Sequence, residues 1–136
     1  MNKTVLVLTA LFLVFSAFKA DKPAYTLFNI DGKEVKYEKM LKQIEDADIV
    51  LFGELHDNPI SHWLELELTK DLFASKGENL VLGAEMFERD NQLILDEYMS
   101  GEISQRNFED EARLWPNYKT DYKPLVEFAK ENKIRF

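Results

Sequence analysis

Two short apolar runs, Ile49-Val50-Leu51-Phe52 and Leu80-Val81-Leu82, constrain this chain more than any other feature. Each is closed by a glycine, Gly53 or Gly83, and one long amphipathic stretch separates them. A brief apolar run bounded by turn signals reads as a strand buried on both faces, and such strands belong to parallel sheets. The stretch between them opens with Asn58-Pro59, a side-chain N-cap followed by proline at the first helical position. Ile60, Trp63, Leu64, Leu68 and Leu72 supply its apolar stripe, and Gly77 closes it. Strand, helix, strand is the grammar of a βαβ unit. The expected fold class is therefore α/β: a partial parallel sheet, with strands 48–52 and 80–84, flanked by helices including 59–76.

Other elements follow the same logic. Asp31-Gly32 sits between the β-prone runs 25–30 and 34–37, which predicts an N-terminal β-hairpin because both turn residues tolerate positive φ. Met40, Leu41, Ile44 and Ala47 fall at helical spacing and predict a short helix over 37–46. Asp90 is placed to cap a helix that ends near Gly101, and Ser104 begins another through Ala112. Trp115 to Tyr118 reads as a loop, 122–132 as a last helix and Ile134-Arg135-Phe136 as the start of a third strand. Residues 90–122 then form a helical insertion in the α/β domain. Nothing follows Phe136 to pair with that strand, so a truncated domain is expected, with an unpaired edge.

The first twenty residues read differently. Lys3 precedes Val5 to Phe18, which only Thr9 and Ser16 interrupt, and Ala20 stands before Asp21-Lys22-Pro23. A basic start, a short apolar core and a small residue before a polar segment describe a secretory signal peptide over residues 1–20. The competing reading is an uncleaved anchor, although the run falls short of the ~20 residues of a comfortable membrane span. The domain proper is then residues 21–136, in a protein that is exported and periplasmic or associated with the cell envelope. The chain has no cysteine. That excludes disulfides, thiolate chemistry and a lipid anchor attached through cysteine.

Charge narrows the partners. The chain carries 17 basic and 25 acidic residues, a formal charge of −8, and loss of Lys3 and Lys19 with the leader takes it to −10. A surface this acidic repels phosphate backbones, so no nucleic-acid partner is expected.

The chemistry concentrates where the predicted strands end. The segment Gly53-Glu54-Leu55-His56-Asp57-Asn58-Pro59 runs from a strand's C-terminal end into a helix N-terminus, with His62 one turn further on. Ligands of open α/β sheets bind at that position, and the helix start adds free N–H groups. Glu54 and His56 alternate along extended backbone and so share a face. Glu85 closes the second apolar run and is expected beside them, because burying a carboxylate there alone is costly. The chain's two histidines and two carboxylates thus converge in one expected crevice. Such a group suits acid–base chemistry, a divalent metal (with His56 and Glu85 as ligands) or a bracketed ligand. The plainer alternative is that His56 is an ordinary helix-entry residue and His62 a half-exposed surface histidine. Arg89 and Gln92 follow Glu85 closely and are candidates for the same crevice, or else solvated residues of a helix start. Trp115, Tyr118 and Tyr122 form an aromatic group that reads first as packing.

Gly53-Glu54-x-His56-Asp57 with His62, then Glu85-Met86-Phe87-x-Arg89-Asp90-x-Gln92, then Trp115 through Tyr122-x-Pro124, resemble three ordered motifs of the ChaN-like haem-binding family. That family belongs to the superfamily of the Tiki metalloproteases and the erythromycin-esterase-like proteins. The resemblance spans about residues 48–136. It implies an exported haem-binding protein associated with iron uptake, with haem as cofactor and haem-uptake partners at the cell envelope. A homodimer stays open. In the ChaN type, tyrosine is thought to hold the haem iron, which makes Tyr118 and Tyr122 candidates here; Gly53, Glu54, His56, His62, Glu85, Arg89, Gln92 and Trp115 complete the implied ligand-binding set. The Tiki branch implies a different use, and an inactive fragment is a third reading. In that branch Gly53-x-x-His56 and Glu85 match a metal-dependent hydrolase pattern, with Glu54, His56 and Glu85 as catalytic residues. The family's members are typically longer, and the anchoring cysteine of some of them is absent here.

Overall fold

The computed structural model describes residues 23–136, so the expected leader over 1–20 lies outside the described residues. Two compact units divide the chain after Val35. The first holds the expected hairpin: β1 (Leu27–Phe28) pairs antiparallel with β2 (Glu34–Val35). Its turn works as the Asp-Gly pair requires. Gly32 takes φ +73°, and the Asn29 side chain accepts from the N–H of Asp31 and of Lys33.

The second unit, residues 36–136, carries the expected helices. They are α1 (Tyr37–Ile44), α2 (Pro59–Lys76), α3 (Gln92–Ser100), α4 (Gln105–Glu111) and α5 (Lys123–Glu131). A 3₁₀ turn over Arg89–Asn91 leads into α3, and a π-turn over Tyr118–Tyr122 leads into α5. α2 starts as its sequence dictates. Asn58 Oδ1 accepts from Ile60 N at 3.0 Å and Ser61 N at 3.2 Å, Pro59 occupies the first turn, and Gly77 ends the helix at φ +54°. Ser104 caps α4 through the N–H of Asn107. Asp90 does not cap α3; its carboxylate accepts from Arg113 at 2.8 Å, and Asn91 occupies the cap position without a side-chain bond to the helix, its Oδ1 accepting from Arg113 N instead.

The core lies among α3, α4, α5 and the turns that join them. Met86, Leu95, Tyr98, Phe108, Tyr118, Tyr122 and Val126 are its buried members. Tyr98 stacks on Phe108 with centroids 4.5 Å apart, and Phe108 meets Tyr118 edge-on. Aromatic rings bury large areas in few residues, so a small helical segment acquires a core of its own. The Tyr98 hydroxyl donates to Glu127, and the Lys130 ammonium sits over the Tyr98 ring at 3.4 Å. α1 is tied to α2 by the Tyr37 hydroxyl, which donates to Asp71 at 2.8 Å.

Two expectations need correction. The parallel sheet is not formed: among the described residues the only sheet is the hairpin, and parallel pairing is confined to one bridge, Val81 with Arg135. Leu82 N donates to Arg135 O at 2.9 Å there. Residues 48–52 run beside an open groove and pair with nothing, so Ile49 and Leu51 are 78% and 90% exposed. An apolar run is covered on both faces only when neighbouring strands and helices supply the cover. The stripe of α2 is also turned. His62, Leu68, Thr69 and Leu72 are buried, whereas Ile60 and Trp63 are exposed. The inward face thus begins with a histidine, and its partners define the site.

Candidate functional site

Glu54 is the hub. It follows Gly53 at the end of the unpaired extended run, and its side chain is only 10% exposed. Its Oε1 accepts two hydrogen bonds, from His56 Nδ1 at 2.7 Å and from the Tyr122 hydroxyl at 2.7 Å. A carboxylate can only accept, so His56 carries its proton on Nδ1 toward Glu54. The backbone turn from Leu55 to Asn58 brings His56 back over Glu54, with Asn58 N donating to Leu55 O.

His62, on the first turns of α2, is 5% exposed and closes the inner wall. Its Nε2 donates to the His56 carbonyl at 3.1 Å. The same nitrogen lies 3.1 Å from Glu54 Oε2, but its hydrogen is directed at the carbonyl. Glu54 Oε2 and His62 Nδ1 are thus buried without a hydrogen-bond partner among the described residues. Glu65, one turn further along α2, brings Oε2 to 3.9 Å from His62 Nδ1.

Aromatic edges complete the wall. Trp115 meets the His56 ring at 4.6 Å and the Tyr122 ring at 5.6 Å, both edge-on, and Tyr122 meets His62 at 4.6 Å. The Asn117 amide donates to the His56 carbonyl at 2.6 Å and to Asp121 at 2.9 Å. The loop before α5 is thereby fastened to the Glu54–His56 segment.

The electrostatics follow from this geometry. Burial pushes the Glu54 carboxyl up, but the hydrogen bonds from His56 and Tyr122 and the nearby imidazoles outweigh it, leaving Glu54 below its ordinary value. The hydrogen bond to Glu54 raises His56 against the effect of desolvation, helped by the charges of Glu54, Glu85 and Asp57. Burial raises Glu65, and the Glu54 charge adds to it. Tyr122 is raised by burial and by its bond to Glu54.

The expected residues fall into three groups. Glu54, His56, His62, Trp115 and Tyr122 meet in one place. Glu85 is exposed and close enough for its charge to act on His56. The rest stand apart. The Tyr118 hydroxyl is buried in the core without a hydrogen-bond partner among the described residues, where burial raises its pKa. Gln92 donates to Asp96 and to the Phe136 carbonyl, Arg89 is exposed in its 3₁₀ turn, and a Cβ at Gly53 would meet nothing within 4 Å. Sequence reasoning missed Glu65, Asn117 and Asp121. Glu65 had a signal, standing three residues after His62 on one helix face. Asn117 had only its place between Trp115 and Tyr118.

His56 is the outward-facing member, with its side chain 57% exposed and Nε2 without a partner among the described residues. In the same segment Asp57 follows it directly, and the apolar Leu55, Ile60 and Trp63 are 69%, 40% and 45% exposed. No group of three or more His, Asp or Glu residues suited to a metal ion occurs among the described residues. Comparison with curated proteins and with solved structures gave no significant match. A family model does match, described as haem-binding uptake, Tiki superfamily, ChaN, and it covers residues 40–136. The chain belongs to that haem-binding uptake family.

Proposed function

We propose that this protein binds haem, with His56 Nε2 as the protein ligand to iron. The observation that carries the reading is the 2.7 Å bond from His56 Nδ1 to Glu54. A metal-ligating histidine characteristically donates its other ring N–H to a carboxylate, which sets the tautomer and raises the ligand's basicity. Here that arrangement exists on an exposed imidazole that meets the Trp115 ring edge-on, and the exposed Leu55, Ile60 and Trp63 of the same segment offer apolar surface for a porphyrin face. Bound haem would supply an iron centre, and His56 would hold it. The tyrosines fit that role less well. The Tyr122 hydroxyl is committed to Glu54, and the Tyr118 hydroxyl lies inside the core. In this reading Tyr122 holds Glu54, Glu54 holds the His56 ring, and His62 holds the His56 carbonyl. The leader-like residues 1–20 and the family support the wider reading of an exported protein that works in iron acquisition.

Titration of the full chain with ferric haem, followed at the Soret band, tests this. Saturable binding is expected, with a nitrogen-ligated spectrum that His56→Ala abolishes and Tyr118→Phe leaves intact. A tyrosinate-type spectrum lost in Tyr122→Phe would move the iron ligand from His56 to Tyr122. A second reading, hydrolysis with His56 as proton carrier, draws on the same Glu54–His56 pair. Metal-dependent ester or peptide cleavage lost in His56→Ala, without saturable haem binding, would favour it.

A further inference from the structure

The carbonyl of His56 is held from two sides. His62 Nε2 reaches it from α2 at 3.1 Å, and Asn117 Nδ2 reaches it from the loop before α5 at 2.6 Å. A carbonyl oxygen has two acceptor lone pairs, and both are used here. The peptide plane after His56 is therefore fixed by two separate elements, and the His56 ring is carried on a backbone that cannot swing. The Asn117 amide is itself oriented. Both of its partners, the His56 carbonyl and the Asp121 carboxylate at 2.9 Å, only accept, so both must face the NH2 group.

We propose that Asn117 is a positioning residue for the His56 site: its amide clamps the His56 carbonyl and so sets the ring against Glu54 and Trp115. The two contacts that the clamp protects are the Nδ1–H bond to Glu54 at 2.7 Å and the edge-on contact with Trp115 at 4.6 Å. Trp115 is two residues from Asn117 in the same loop, so one amide positions both the ring and the wall it leans on. No other hydrogen bond from the loop 115–121 reaches the Glu54–His56 segment among the described residues. Tyr122 reaches the side chains of Glu54 and His56 from the end of the π-turn, at 2.7 and 3.4 Å, and makes no hydrogen bond to their backbone among the described residues.

Asparagine is specific in this role. An aspartate at 117 would have the same shape but would face a carbonyl and a carboxylate with acceptors only. It would push the His56 peptide away rather than hold it. Alanine would simply release it.

The inference uses the proposed haem site only in its second measurement, so the two can fail separately. First, the ring tautomer of His56 is read in the haem-free protein at pH 8 from long-range proton–nitrogen correlations. The wild type is expected to hold the Nδ1–H tautomer, and Asn117→Asp and Asn117→Ala to shift His56 toward the Nε2–H form that a free imidazole prefers. Should Asn117→Asp melt early, Asp121→Ala serves instead. It leaves Asn117 in place, removes the acceptor that orients it, and is expected to shift the tautomer in the same direction by less. Second, ferric haem affinity is expected to fall about tenfold in Asn117→Ala, the low end for loss of an outer-shell partner. An unchanged His56 tautomer in folded Asn117→Asp or Asp121→Ala would overturn the clamp, whatever haem does. A shifted tautomer in a protein that never binds haem would keep the clamp and sink the haem reading.

Discussion

Glu54 and His56 shift each other in opposite directions, and this gives the site a defined pH window. His56 is raised above its ordinary 6.5 by its bond to Glu54, so the stability it contributes is complete below 6.5 and is lost as pH climbs through the raised value. Glu54 is lowered below 4.5, so its contribution is complete above 4.5 and is lost as pH falls through the lowered value. The pair is fully formed between about pH 4.5 and 6.5. Iron ligation runs the other way. It needs neutral His56 with a free Nε2 lone pair, so haem affinity is expected to rise as pH increases past 6.5 and to level off above the raised pKa of His56. Soret titrations at a series of pH values measure this directly, and a flat profile would count against His56 as the ligand. Glu54→Gln removes the charge while keeping the shape. The His56 pKa is expected to drop back toward 6.5, and haem affinity to fall about 10–100-fold. Much of this site is legible in residue order, because an acid or a histidine at the end of an apolar run needs a partner. Asn117 is not legible in that way: it acts on a backbone carbonyl 61 residues away, and no local pattern marks such a contact.

Among the elements, α2 shows what a sequence states and what it leaves open. Its start and stop depend on neighbours in the chain, and Asn58, Pro59 and Gly77 place them where expected. Asn58→Ala is expected to cost about 1 kcal/mol, or roughly 4–8 °C in Tm for a domain near 100 residues. The loss should appear in a thermal melt, and haem binding should weaken with it, because Asn58 sets the turn between His56 and His62. An unchanged Tm would mean that the cap is satisfied by solvent. The face that α2 buries is less legible. Leu64, Leu68 and Leu72 fit an apolar stripe together with Ile60 and Trp63, yet the first two turns point His62 inward. Hydrogen bonds from His62 and the charge of Glu54 decide that rotation, and apolar periodicity does not register them. The strands are less legible still. Ile49 to Phe52 is a strand by composition, but pairing is a property of two segments, and outside the hairpin the only bridge among the described residues is between Val81 and Arg135.

At the scale of the molecule, that missing pairing has a measurable consequence. Residues 48–53 make no backbone hydrogen bond among the described residues, and they line one side of a groove of about 860 Å³ whose other walls include Leu68, Leu72 and residues 79–83. Ile49 and Leu51 stand exposed along it, and Val81 is 52% exposed on the opposite rim. Unpaired strand backbone beside exposed apolar side chains is a template for pairing with another chain. The formal charge of −8 opposes such contact between copies. The two effects separate by salt. Charge repulsion is screened over ~8 Å at physiological ionic strength, whereas apolar contact is not weakened. Self-association of the protein is therefore expected to increase as salt is added, measured by sedimentation or light scattering across a concentration series. Leu51→Lys places a charge on the exposed edge, and Leu51 makes none of the hydrogen bonds that hold Glu54 or His56. It is expected to lower the association and remove most of its salt dependence, while leaving the His56 tautomer unchanged. Association that weakens with salt, or that survives in Leu51→Lys, would show that attraction between charged surfaces, and not the open edge, brings the copies together.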